Sequence, residues 1–109
     1  NLTGYIQTNR LTPEILDEYL RMQRERVRYL SEKVPEITQR VRYSAWSYMI
    51  SMCDKIKTHN LTECEKQYDY MLSEIKNNKD EFLNSPFITE REVFLVSKYI
   101  DREETRCSK

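Results

Sequence analysis

Carboxylates in pairs are the usual raw material of acid/base and metal chemistry, and this chain offers two sets, Glu63 with Glu65 and Asp101 with Glu103 and Glu104. The first pair falls in the opening turn of a helix and the second set in a charged tail. An acid/base pair needs surroundings that differ between its members, and turn and tail positions give both the same water. The one histidine, His59, sits in a connection. No HExxH motif, glycine-rich phosphate loop, or nucleophile with a base and an orienting partner is present. The residues imply no catalytic centre and no cofactor or metal site in this chain.

Cys53, Cys64 and Cys107 are an odd number without a CxxC pair, which argues against structural zinc. Cys53 and Cys64 could approach each other across a helical hairpin. Free buried thiols in a reducing, cytoplasmic compartment are the weightier reading. The sequons at Asn60 and at Asn1 permit N-glycosylation in a secreted protein, but Asn60 also suits a turn and Thr62 a helix cap.

Arg21, Arg24 and Arg28 recur at helical spacing and form a basic edge able to face phosphates or anionic lipid. Glu14, Asp17, Glu18, Glu25 and Glu32 share that helix, so a solvated, internally paired face is the stronger expectation. Eighteen basic residues balance eighteen acidic ones, and no overall field favours nucleic acid. Eight tyrosines could serve as a stacking platform. Most lie on or beside apolar stripes, which reads as core edges with the hydroxyl in water.

The elements that position these residues are helices. One glycine and 33 % charged residues in 109 do not suit hairpin turns and bulges. A chain of this length buries about 60–65 % of its unfolded surface in one core. Thr12-Pro13-Glu14 caps and starts the first helix, whose stripe is Leu16, Leu20, Gln23, Val27, Leu30 and Val34. Pro35 ends or bends it. From Glu36 to about Thr58 the stripe is Ile37, Val41, Ala45, Tyr48, Met52 and Ile56, and Trp46, Met49 and Cys53 off that stripe imply a central helix buried on more than one face. Thr62 with Glu65 predicts a capping box, and a third helix runs from Glu63 through Asn77-Asn78 to a stop at Ser85-Pro86. Thr89 with Glu92 predicts another box, opening a last helix lined by Val93, Val96 and Ile100. The expectation is an all-α fold, a single antiparallel bundle of about four helices over residues 12–104. An extended lead-in covers residues 1–11 and a frayed tail 105–109. No apolar run approaches the about 20 residues of a membrane span.

Taken in order, Tyr29-Leu30-Ser31-Glu32-Lys33-Val34-Pro35, Tyr43-Ser44-Ala45-Trp46-Ser47-Tyr48 and the stretch from Ile75 to Glu92 resemble the helical region that follows the catalytic domain in bacterial family 2 (GT-A type) glycosyltransferases of capsule and exopolysaccharide synthesis. The resemblance spans roughly residues 13–100 and rests on the order of segments, not on a catalytic motif. It implies an upstream Rossmann-like domain with an Asp-x-Asp metal motif and a carboxylate base. No Asp-x-Asp occurs here, so no catalytic residue carries over. What it implies for this chain is a noncatalytic accessory role in docking to the upstream domain of the same polypeptide, in homodimerisation, or in peripheral contact with the inner face of the membrane. Gly4 to Arg10 would be the remnant of the junction. A free-standing helical adaptor that offers a groove to a partner helix is the alternative reading.

Overall fold

The structure, a computed structural model, describes residues 11–101. Among these residues every regular element is helical. The expected lead-in up to Arg10, with Tyr5 and the first sequon, lies outside the described residues, as do Glu103, Glu104, Cys107 and the frayed tail. Leu11, assigned to the lead-in from sequence, is buried in the core.

Helix α1 spans Pro13–Lys33. Thr12 caps it, its hydroxyl accepting the Ile15 N–H at 3.2 Å, and Pro13 occupies the first turn where a missing N–H costs nothing. Pro35 terminates it as expected, through an extended Val34 and a short 3₁₀ turn, Pro35–Ile37. Helix α2 spans Thr38–Thr58 and buries Val41, Ala45, Trp46, Met49, Ile50, Cys53 and Ile56. It is the central element, packed against α1 and the helices that follow. Its buried face runs through Met49 and Ile50, not through Tyr48 and Met52, which are half-buried.

Asn60 ends α2 with φ 53°. The Leu61 N–H reaches back to Ile56 O at 2.9 Å and the Asn60 N–H to Lys57 O at 3.3 Å, the Schellman arrangement in which asparagine tolerates the left-handed residue. Leu61 then packs on the core. The capping box expected at Thr62 does not form. Thr62–Cys64 is a 3₁₀ turn, and α3, Glu65–Asn77, begins without a side-chain cap. The tighter turn goes with Cys64, which the chain brings to complete burial there.

The third helix also stops where continuity was expected. The Asn78 side-chain amide donates to Glu74 O at 2.8 Å, a local bond that competes with the helical ladder, and the chain restarts as α4, Lys79–Leu83, with Phe82 fully buried. There are thus five α-helices among the described residues instead of about four. The last, α5, spans Glu90–Val96 and runs on into a π-helical turn, Ser97–Asp101. Its capping box forms as expected between Thr89 and Glu92. Its buried positions, however, are Glu92, Leu95, Val96, Tyr99 and Ile100, while Val93 is 45 % exposed. Val96 and Ile100 thus face inward as expected, and Val93 is the departure, with Glu92 taking the inward position beside it.

Candidate functional site

Two polar constellations sit at the helix contacts. Glu92 is 5 % exposed. Its carboxylate accepts from the Tyr43 hydroxyl at 2.6 Å, from the Ser47 hydroxyl, and from the Thr89 N–H at 3.0 Å. Burial by itself would raise its pKa, but the hydrogen bonds from Ser47, Tyr43 and Thr89 together hold it below the usual carboxylate value. A second carboxylate, Asp54, accepts from Tyr99 at 2.7 Å, and Arg91 stands 3.5 Å away. Burial, then the hydrogen bond to Asp54, pushes the Tyr99 hydroxyl up to about 12. Both carboxylates tie α5 and its extension to α2. The hydroxyls of Tyr43 and Tyr99, expected to face water, donate to these carboxylates instead. The Tyr43 hydroxyl is raised, first by its burial and then by Glu92, so it stays a neutral donor to that carboxylate. The arrangement is a clamp between helices.

The arginine edge of α1 divides. Arg21 is half-exposed and bridges Glu18 and Glu25 on its own helix, the latter at 3.0 Å, and these bonds raise its pKa. Arg24 reaches across to α3, donating to the Tyr70 hydroxyl at 3.3 Å with its guanidinium 5.7 Å from the ring centre. Arg28 makes no ion pair among the described residues. Arg24 and Arg28 share a groove of about 220 Å³ between α1, α2 and α3. Val27, Ala45, Trp46 and Met49 form its apolar floor, and a third guanidinium, Arg42 of α2, closes one end. Arg42 is held at 2.7 and 2.8 Å by the two oxygens of Glu81 and lies 4.9 Å from the Trp46 ring centre. The hydrogen bond to Glu81 raises its pKa despite partial burial.

Arg42 was not singled out from the sequence. The signal available was its position four residues before Trp46, a spacing that stacks a cation on a ring along one helix face. The carboxylates Glu63 and Glu65 stand exposed at the start of α3, His59 is exposed at the end of α2, and the other acids singled out lie in or near the chain end. Among the described residues no three His, Cys, Asp or Glu side chains converge as a metal site. Cys53 and Cys64 are both free and fully buried. No helix of the described residues is long and apolar enough to cross a membrane.

No family model, curated protein or solved structure matches this chain.

Proposed function

We propose that this chain is a noncatalytic helical module that acts by docking, in the manner of an accessory extension to a nucleotide-sugar-dependent glycosyltransferase. The observation that carries this reading is the outer flank of α1. Ile15, Tyr19, Met22 and Tyr29 recur at helical spacing on that flank, and they are 36, 48, 51 and 59 % exposed. Single exposed apolar residues are ordinary; an aligned set of four on one helix marks an interaction surface. Tyr19 stacks on Tyr48 with ring centres 5.4 Å apart, so the strip continues onto α2. The basic edge contributes less to a membrane contact than its spacing implies, because Arg21 is already paired with Glu18 and Glu25.

The same proposal includes an up-and-down, antiparallel order of the longer helices, supported by the short connections after Lys33 and Thr58. It also includes a reducing, cytoplasmic setting, supported by two buried unpaired thiols. A free-standing adaptor is the second reading. A separate exposed pair on α5, Val93 and Phe94 at 45 and 62 %, favours it, since an adaptor bridges partners through more than one face.

The test joins genetics to binding. The reading frame upstream of Asn1 is expected to encode an α/β domain with an Asp-x-Asp motif, and that domain, expressed separately, is expected to bind this chain. Met22→Glu with Tyr29→Glu should weaken binding at least tenfold, since each substitution sets a charge on the strip. A start codon directly before Asn1, or binding that ignores the double variant, would refute the accessory-domain reading.

A further inference from the structure

We infer that the groove between α1, α2 and α3 is a binding site for a small amphipathic anion, a carboxylate carried on an apolar ring or short chain. Three features of the groove, none of them used by the docking strip, converge on this class of ligand.

The first is the floor. Trp46 is only 5 % exposed and lines this groove beside Met49 and Val27. An indole face with a thioether next to it accepts a ring or alkyl body without asking for hydrogen bonds. The volume, about 220 Å³, falls below the roughly 300–1,000 Å³ typical of sites for drug-sized ligands. A body of about one ring fills it.

The second is the charge at the rim. Of the three guanidiniums, Arg42 is neutralised by the two oxygens of Glu81 and also offsets Glu74, the one carboxylate that lines the groove. Among the described residues Arg24 has only a neutral phenol as a partner, and Arg28 has no ion pair. Two positive groups one helical turn apart, over an apolar floor, match a single carboxylate better than a neutral head. Arg28 also has the planar fork that takes a carboxylate through two parallel bonds.

The third is an unmet acceptor. The side-chain oxygen of Gln23 is buried with no hydrogen-bond partner, and Gln23 lines the same groove. Buried polar atoms are nearly always paired in folded proteins. With the amide turned over, its N–H is what faces the groove and donates to the ligand carboxylate.

Trp46 is the one tryptophan of the chain, so its indole N–H gives a single assigned signal at the floor of the site. The full chain is titrated with phenylacetate, with the neutral phenylacetamide and with inorganic phosphate, and the Trp46 signal is followed by two-dimensional NMR. Phenylacetate should move it saturably and bind at least tenfold more tightly than either control. Arg28→Gln, an exposed change that breaks no ion pair among the described residues and should leave the melting temperature unaltered, should weaken phenylacetate about tenfold and leave phenylacetamide unaffected. Absence of a saturable shift overturns the site. Equal binding of phenylacetamide overturns the anionic part, and equal binding of phosphate overturns the apolar part. A signal that shifts equally in the Arg28→Gln chain removes the arginine from its assigned role.

Discussion

Replacing Glu92 by alanine tests whether a buried carboxylate holds α5 to the rest of the fold. Three bonds converge on it, from Tyr43 at 2.6 Å, from Ser47, and from the Thr89 N–H at 3.0 Å. Hydrogen bonds to a charged group are worth about 1.5–3 kcal/mol each by mutational measure. The hydroxyls of Tyr43 and Ser47 are half-buried, so water recovers part of what the substitution removes, and the capping box is lost with them. A net loss of about 3 kcal/mol follows, a large share of the roughly 5–15 kcal/mol that keeps a domain folded. At about 4–8 °C per kcal/mol for a chain of this size, the melting temperature should fall by about 12–24 °C. Glu92→Gln keeps the shape and one acceptor, and a hydroxyl can turn to accept from the new amide, so it should cost only about 1 kcal/mol. Urea unfolding, followed by Trp46 emission and by far-ultraviolet circular dichroism, measures both. An alanine variant within about 0.5 kcal/mol of the parent, the ordinary range for a surface change, would refute the clamp. So would a glutamine variant weaker than the alanine one.

The acid limb of stability should depend on Glu92 and Glu81. The pKa of Glu92 is lowered by the hydrogen bonds that outweigh its burial, and that of Glu81 by its bond to Arg42. A folded value below the unfolded one gives stability that is complete above the ordinary carboxylate value of 4.5 and is lost as pH falls through the folded values. Glu92→Gln should flatten that decline in urea titrations repeated at descending pH, and an unchanged slope would count against the assignment. On the alkaline side Tyr48 and Tyr99, both raised from 10 to about 12 chiefly by burial, contribute stability present below pH 10 and lost as pH rises towards 12. Finally, burial pushes the Cys53 thiol up to about 12 and raises that of Cys64, and thiolate is the species that reacts. In a Cys107→Ser chain an aromatic disulfide reagent should label neither cysteine in the native protein and both in denaturant. Rapid labelling without denaturant would contradict their burial.

What the sequence disclosed was whatever apolar periodicity and local capping encode. Thr12-Pro13, Pro35 and Thr89 with Glu92 act within a few residues of themselves, so their effects were predictable from spacing alone. The failures share a different cause. Whether Thr62 caps a helix depends on where Cys64 must be buried, and whether Asn78 breaks one depends on Glu74 O and on Arg42 from another helix. Glu92 was read only as the capping-box partner of Thr89, and nothing near it in the chain marked it as buried. Only the hydroxyls of Tyr43 and Ser47, more than forty positions earlier, make its inward position affordable. The groove was half visible. Arg24 and Arg28 announced themselves by their spacing, whereas Trp46 was recognised as buried but not as the floor between them.

If the groove takes its ligand, the two surfaces of α1 should be coupled through the way the helix is held. Its buried anchors, Leu16 and Leu20, both lie in the first half, while Gln23, Val27 and Leu30 in the second half are only half-buried. The first half is pinned by packing, so the second half, which carries Arg24, Arg28 and Tyr29, is held with less buried apolar surface and should open at lower free energy. A ligand seated on Trp46 and gripped by Arg28 adds contacts to that weaker half. By mass action it stabilises the conformation it binds, by about 2.7 kcal/mol at a hundred times its dissociation constant. The same conformation aligns Met22 and Tyr29 with Tyr19 along the outer flank. Occupancy of the groove would then order the docking strip on the opposite side of one helix, with no movement of the rest of the fold.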